Sequence, residues 1–566
     1  MENLARSFIL LGLWSKLNAS IKLFVLIGPF LVLVLVLVFW SENVIFHDDY
    51  ALLGFLVDWT DPALSWGNKL HRLVEPHNHH RLVYDRLVTL ATYYLTGKIN
   101  VTIMIVLGNM ALLGIVWRLW TLFRDMKLPV WYFTPVPFWM LNLQSHENML
   151  WGMAALQNFT VVWLMMEALH RLLRRDALTS ALLLSIAALF TSGNGLMVAA
   201  VGTLIVGWQW TWRTDGWLWI GGMGLALILF FWGYDPAPPV GSLLDVVPRL
   251  LMVLGASLTN QARFGSAMVG GILVLLTWMS AFVLINQTRN RQIKANWQTD
   301  TFSELLAITA IVLGTAIILG ISRPLDELLR DRYRIYSHLA FSLTYLLGLL
   351  LITPPFRSIW AVLAGSAAVT MYGISAYAKI PELINLRQNR QLDAFNVRFY
   401  GTTLPPPYYA ESNRKVLKQA QERGVLKYPD IWSDPAHWKL LPFRCRIIVE
   451  PFKDLHPTVF VAKNNHFLRV HSAPAFFPRR TPLSSDVCLI AESASGRRYA
   501  LPAMVMLNKK LDFLTTGRYL KNERISEFQK AVLPPGLYRL GLLFTHNNDV
   551  DGFARSRQTF VVSPLD

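Results

Sequence analysis

Residues 21–40 read IKLFVLIGPFLVLVLVLVFW, with Lys22 as the only charge. A helix needs about 20 apolar residues to cross a hydrocarbon layer of ~30 Å, and this run supplies them. It is too long for the apolar core of a secretory signal and lacks a small-residue cleavage site, so it reads as a retained membrane anchor. Composition agrees. Of 566 residues, 53% are hydrophobic and 16% charged, against an apolar share of ~45–50% in soluble domains.

Further apolar segments recur at 101–121, 129–143, 151–170, 177–190, 196–212, 216–233, 266–287, 303–321, 336–353 and 359–378. With the first run they predict eleven crossings, the third and fifth being the shortest. Cations orient them, because cytoplasmic loops carry an excess of Lys and Arg. With Arg6 and Lys16 inside, the inside loops hold Arg118, Arg124 and Lys127; Arg171, Arg174 and Arg175; Arg213; Arg289, Arg291 and Lys294; and Arg357. An odd number of crossings puts residues 379–566 outside, on the periplasmic side of a bacterial inner membrane. Segment 242–258, flanked by Pro239, Asp245 and Arg249, is then expected as an interfacial helix on the outer face.

Beyond the last crossing come Pro405, Pro406 and Pro407, then a short helix expected to start at Glu411-Ser-Asn and stop at Gly424. From about Cys445 the pattern turns to strands: CRIIVEP, PTVFVA, DVCLIAES, RYALPAMVML, RQTFVV, and PPGLYRLGLLFTH, in which Tyr538, Leu540, Leu542 and Phe544 alternate on one face. Six or seven short strands in this length predict a β-sandwich. The expected plan is a helical membrane domain (1–380), a periplasmic helical linker (381–440) and a periplasmic β-sandwich-like domain (441–566). Cys445 and Cys488 both fall in the last, as a disulfide or as two buried thiols. The formal charge is +17, and from Pro381 onward 27 Lys/Arg face 16 Asp/Glu. No nucleic-acid motif accompanies this surplus, so no nucleic-acid partner is expected. A basic domain beside a membrane leans instead on anionic lipid head groups.

Charged and amide groups near a membrane core are expensive, so their placement is informative. Five clusters fall on the expected outer face. They are Asp48 and Asp49 in HDDY; Glu75, His79, His80 and Arg81 in EPHNHHR; Gln144, His146, Glu147 and Asn148 in QSHEN; Asn194 in SGNG; and Arg330, Arg332 and Arg334 in RDRYR, with Arg323 upstream. Arg330 and Arg334, four apart, are expected to share a helical face. The second cluster opens an amphipathic stretch, Val83, Leu87, Leu90, Ala91 and Tyr94, expected to lie along the membrane surface. Each cluster alone has an ordinary explanation: solvated loop carboxylates, exposed histidines without the HExxH zinc spacing, a helix cap, a tight turn, snorkelling arginines. Together, acid, imidazole, amide and guanidinium groups make the inventory of an active site.

The chain resembles the GT-C class of membrane glycosyltransferases over roughly residues 1–380. The resemblance is carried by the acidic pair Asp48-Asp49 after the first crossing, the long outer loop with amphipathic helices, and about ten further crossings. Glu75-x-His-x-His-His-Arg81, Gln144-x-His-Glu-Asn148-x-x-Trp151 and Arg332-Tyr-Arg334 look like motifs of bacterial members. The His-rich run departs from the protein mannosyltransferases and aminoarabinose transferases, which leaves the acceptor and any divalent metal open. The resemblance implies an inverting transfer of sugar from a polyprenyl-phosphate carrier to a glycan, lipid or protein acceptor. It implies catalytic roles for Asp48, Asp49, Glu75, His79 and His80, with Asp49 the preferred base. Arg81, Gln144, His146, Glu147, Asn148, Asn194, Arg323, Arg330, Arg332 and Arg334 would bind substrate. No cytoplasmic domain or Gly-rich fingerprint exists to take a nucleotide sugar, which agrees with a lipid-linked donor. The competing readings are a transporter or flippase for lipid-linked saccharide and a non-catalytic envelope assembly protein.

Overall fold

A computed structural model describes residues 19–563 except 78–79, 175–176, 210–213, 236–239, 241–242, 259–261, 290–296, 326, 404–406, 443–445, 453–466, 474–484, 522 and 547–548. Arg6, Lys16, His79, Arg175, Arg213, Pro239, Arg291, Lys294, Pro405, Pro406, Cys445 and the strand expected at PTVFVA lie outside the described residues. The chain divides into two compact units, Met1–Phe39, Leu64–Ala91 and Ile103–Tyr377 in one and Trp40–Ala63, Thr92–Thr102 and Ala378–Asp566 in the other.

The helices, in chain order, are α1 (Ala19–Trp40), α2 (Asp49–Trp59), α3 (Trp66–Val74), α4 (Val83–Thr96), α5 (Val101–Asp125), α6 (Pro135–Met140), α7 (His146–Leu150), α8 (Gly152–Arg174), α9 (Leu178–Leu189), α10 (Leu196–Gln209), α11 (Thr214–Phe231), α12 (Leu243–Gly255), α13 (Arg263–Arg289), α14 (Trp297–Ser322), α15 (Arg334–Leu351), α16 (Pro354–Tyr400), α17 (Pro407–Glu422) and α18 (Lys510–Thr516). Five stretches are long and apolar enough to cross a membrane: Val101–Asp125, Arg263–Asn286, Asp300–Ser322, Asp331–Leu351 and Pro354–Tyr400. Shorter apolar helices stand at Val25–Trp40, Leu178–Leu189, Gly193–Gly207 and Gly216–Phe231. Leu275, Trp278, Met279 and Phe282 of α13 are exposed, as are Leu225 and Ile228 of α11. An apolar outer surface on apolar helices is what a lipid environment selects.

Three expectations are corrected in this unit. Segment 129–143 is not one helix: it breaks into a 3₁₀ turn (Val130–Phe133), the six-residue α6 and a second 3₁₀ turn (Leu143–Ser145). Pro129, Pro135 and Pro137 withhold amide donors from an α ladder, and only the start of a helix tolerates that. Arg118 is not in a loop. It lies within α5, 8% exposed, with its Nε 3.0 Å from Glu167 Oε1 of α8. Arg330 and Arg334 do not share a helical face. Arg330 is extended (φ −65°, ψ 151°) and caps a 3₁₀ turn, and α15 begins only at Arg334.

In the other unit α17 starts at Pro407, four residues before the expected Glu411, because proline is well suited to a first helical turn. Gly424, at φ 66°, follows it as expected. The C-terminal region is strand-rich. After the short strands β1 (Pro76–His77) and β2 (His80–Arg81) of the first unit, strands β3 (Arg446–Phe452), β4 (Phe467–Ala473) and β7 (Arg524–Gln529) form an antiparallel sheet in the order β3-β4-β7. Strands β5 (Ser485–Ser493), β6 (Arg498–Leu501), β8 (Gly536–His546) and β9 (Asp549–Val562) form another in the order β6-β5-β8-β9. Both sheets contribute to a single core, with Leu468, Val470 and Phe528 from the first and Val487, Leu489, Leu540, Leu542 and Phe560 from the second. Tyr538, Leu540 and Leu542 enter it on one face with Phe544 packed against it, the period-two pattern of the sequence. Cys488 is fully buried.

Candidate functional site

Four of the five polar clusters lie in the first unit, and hydrogen bonds join them in two linked groups. Glu75–Arg81 folds as a small hairpin, β1 (Pro76–His77) against β2 (His80–Arg81), with His77 opposite His80. His80 Nδ1 accepts the Gly193 N–H at 3.1 Å, which places the ring proton on Nε2. The Ser192–Gly195 turn is compact because Gly195 has no Cβ, which would collide with the Ala188 carbonyl. Its Asn194 amide then donates to the Tyr336 hydroxyl at 2.7 Å. The His-rich hairpin, the glycine turn and α15 are thus one connected group.

The Gln144–Asn148 stretch joins the same helix start from the other side. Asn142 accepts the Gln144 N–H at 3.1 Å, and Gln144 Nε2 donates to Ser257 O at 2.7 Å. Asn148 Nδ2 donates to Arg332 O at 2.6 Å, and Asn158 Nδ2 donates to Asn148 Oδ1 at 3.0 Å. His146 Nδ1 stands 3.3 Å from Asp331 Oδ2. Ser257 N–H donates to Ser337 Oγ at 3.1 Å, and Ser337 Oγ donates to Leu254 O at 2.7 Å.

The arginines take different positions. Arg334 is 1% exposed and donates to the carbonyls of Ala256 and Leu329, the latter at 3.1 Å, with Asp331 Oδ1 3.7 Å away. Arg81, 4% exposed, donates to Val74 O, Trp232 O and, at 2.7 Å, Phe230 O. It thereby closes the C-terminal end of α11, where the helix dipole favours a cation. Burial lowers the pKa of Arg81 from its ordinary value. Arg332 is half-buried with Nη2 3.0 Å from Glu327 Oε2, Arg323 lies 4.0 Å from the same oxygen, and Arg330 is exposed. Glu75 is held by Arg72 Nη1, 3.0 Å from each carboxylate oxygen, with Arg86 Nη2 3.9 Å away. Glu147 is half-buried.

The acidic pair belongs to the second unit. His47 takes a left-handed conformation at φ 45°, and the turn delivers Asp48 to the cap of α2 and Asp49 to its first residue. Asp48 is half-buried, while Asp49 is fully enclosed and its Oδ2 accepts the Phe46 N–H at 3.2 Å. Tyr50 and Tyr428 stand side by side there. Burial first, then the negative charge of Asp393, pushes the Tyr50 phenol above its ordinary value. Burial likewise raises Tyr428.

Sequence reasoning missed Ser257, Tyr336, Ser337 and His338, all buried. The signal was available: Tyr-Ser-His opens an otherwise apolar stretch, where polar side chains are costly without partners. It also missed the part-buried pair His170 Nδ1–Glu304 Oε2 at 2.8 Å, whose members are far apart in sequence. Comparison with family models, curated proteins and solved structures yields no match.

Proposed function

We propose that the chain is a bacterial inner-membrane glycosyltransferase of the GT-C type, moving a sugar from a polyprenyl-phosphate carrier to a glycan, lipid or protein acceptor at the periplasmic face. The observation that carries the reading is that four sequence-distant polar clusters form two hydrogen-bonded groups that meet at the start of α15, inside a unit whose outer helices are apolar. In this reading the chain crosses eleven times and residues 379–566 are periplasmic. Segment 129–143 crosses as a broken helix. Its residues 132–143 are all buried, and non-helical backbone is tolerated at membrane depth where protein surrounds it.

The reaction is a single displacement. A carboxylate takes the proton of the acceptor hydroxyl, that oxygen attacks the anomeric carbon, and the carrier phosphate departs with the electrons of the broken bond. Within the acidic pair Asp49, the base preferred from the sequence, is enclosed and holds the Phe46 amide, whereas Asp48 is half-buried; the difference favours Asp48 as the base. In this reading exposed Arg330, with Arg332 and Arg323 beside Glu327, pairs with the carrier phosphate, the bidentate work to which guanidinium is suited. These arginines belong to the first unit, and the role of the acidic pair in the second rests on the sequence. Arg334 acts as a positioning residue for the turn that carries Arg330 and Arg332.

A second reading, transport of a lipid-linked saccharide, is favoured by one observation. Two part-buried ionisable pairs, Arg118–Glu167 and His170–Glu304, lie between helices, and such pairs mark ion and substrate pathways in membranes. The deciding measurement is sugar transfer from a synthetic polyprenyl-phosphate sugar by the full chain in nanodiscs. Wild type should transfer, and Asp48→Asn should fold normally while losing about 10²–10⁴-fold in rate. Wild-type rates in both Asp48→Asn and Asp49→Asn would remove the pair from the chemistry. Lipid movement across a bilayer without transfer would establish the transport reading instead.

A further inference from the structure

We propose that the second unit carries an anion-binding pocket for a small, hydroxylated ligand bearing a phosphate or carboxylate. It lies between Asn43, the Thr96–Asn100 turn and the Lys427–Asp430 segment. The three segments are tied together by backbone chemistry. Gly97, at φ 72°, ends α4 and accepts the left-handed turn that most residues resist. Ile99, 1% exposed, anchors the turn and donates its N–H to Val425 O at 2.9 Å. Asn43 Oδ1 accepts the Val101 N–H at 2.8 Å, holding the start of α5 against the chain that follows α1. Between them is a cavity of about 280 Å³, close to the lower end of the ~300–1,000 Å³ of small-molecule sites.

The lining sets the ligand. Lys98 and Lys427 both border the cavity. The one acid on its rim, Asp430, is taken up by Arg398 at 3.3 Å. The rim therefore carries a net positive charge, and a site of this kind draws an anion. The Thr96 hydroxyl is engaged with the Thr92 and Lys98 carbonyls and Asn43 Oδ1 with the Val101 N–H, so they shape the wall, and the Asn43 amide NH₂ is the donor that suits a hydroxyl of the ligand. The floor is Tyr428, 7% exposed. The pocket goes beyond the transfer reaction and does not rest on it, because binding is read without turnover.

The test uses the full chain in zwitterionic nanodiscs and isothermal titration calorimetry with inorganic phosphate, glucose 1-phosphate and glucuronate, and with glucose as the neutral control. The anions should bind and glucose should not. Lys98→Gln and Lys427→Gln should each weaken binding about tenfold, the scale of one lost charge-assisted hydrogen bond. Lys→Arg at either position should retain it, and Asp430→Asn should bind at least as tightly as wild type. A parallel arm adds an anionic phospholipid to the nanodiscs. Lysine-dependent lipid association that excludes the soluble anions would identify a head group as the source of the phosphate. Absence of anion binding in both arms, or equal affinity in the Lys98→Gln/Lys427→Gln double variant, would overturn the proposal.

Discussion

Arg334 illustrates how one guanidinium organises a neighbourhood. It is 1% exposed, and its donors close the carbonyls of Ala256 and Leu329 while Asp331 stands 3.7 Å away. A lysine there keeps the charge and loses the planar fork, so it cannot serve both carbonyls at once. Each buried acceptor left without its donor costs about 1–3 kcal/mol. Arg334→Lys should therefore lower the unfolding temperature in detergent. Arg330→Lys, on an exposed side chain, should change stability by no more than about 0.5 kcal/mol. Equal stability of the two variants would mean that Arg334 does not position its turn. The run Arg-Asp-Arg-Tyr-Arg was visible in the sequence as a cationic site. Which arginine is enclosed was not, because spacing by four presumes a helix, whereas Arg330 is extended ahead of a 3₁₀ turn.

Elements succeed or fail on what their neighbours allow. The crossing of α12 and α13 is close because both helices present glycine. A Cβ on Gly270 would overlap the Leu251 carbonyl, and one on Gly255 the Ser266 carbonyl. The next residue, Gly271, would meet only Leu251 Cδ1 at 3.9 Å. Gly270→Ala should thus destabilise by about 1–3 kcal/mol, the usual cost of overpacking, and Gly271→Ala should be near neutral in the same thermal scan. Comparable losses in both would assign the effect to helix backbone rather than to the crossing. In the strand-rich region the analogous device is electrostatic. Burial raises the Glu492 carboxyl, and the guanidiniums of Arg555 and Arg498 more than offset this, leaving its pKa below the usual value. Arg555 Nε lies 2.7 Å and Arg498 Nε 3.0 Å from its oxygens. A group whose pKa is depressed by folding stabilises above its unfolded value, about 4.3 for glutamate, and loses that contribution as the pH falls through the folded value. Protection factors in β5, β8 and β9, corrected for the intrinsic exchange rate at each pH, should fall below about pH 4.5 in wild type more than in Glu492→Gln. A parallel fall in both would show that other carboxylates dominate. The strands were legible because alternation along β8 survives in the core. The breaks in segment 129–143 are written in Pro129, Pro135 and Pro137, which compete with an apolar run that is itself short for a crossing.

For the molecule as a whole, apolar runs announce a membrane protein, and five stretches meet the length and hydropathy a crossing needs. The polar clusters were legible as residues that do not belong in lipid. Their joining was not, since Asn148 meets Arg332 and Asn194 meets Tyr336 across separations of more than 140 positions, and no local period encodes such pairs. Sidedness is the property on which the proposed chemistry depends most, because a lipid-linked donor is required only where nucleotide sugars are absent. The cations supply the prediction, since short cytoplasmic loops retain Lys and Arg during insertion. Arg118 no longer counts toward that excess, because it lies well inside α5 rather than in a loop. Arg124, Lys127, Arg171, Arg174, Arg175, Arg213, Arg289, Arg291, Lys294 and Arg357 still do. Reporter fusions after Arg124, Arg175, Arg291 and Arg357 should therefore report cytoplasm, and fusions after Gly97, Gln261 and Ala378 should report periplasm. The fusions after Arg124 and Arg175, taken together, also test the broken segment. If 129–143 does not cross, every fusion C-terminal to it changes side relative to the fusion after Gly97, and the fusion after Ala378 becomes cytoplasmic. That outcome would place the strand-rich region among nucleotide sugars, and the requirement for a polyprenyl-phosphate donor would fall with it.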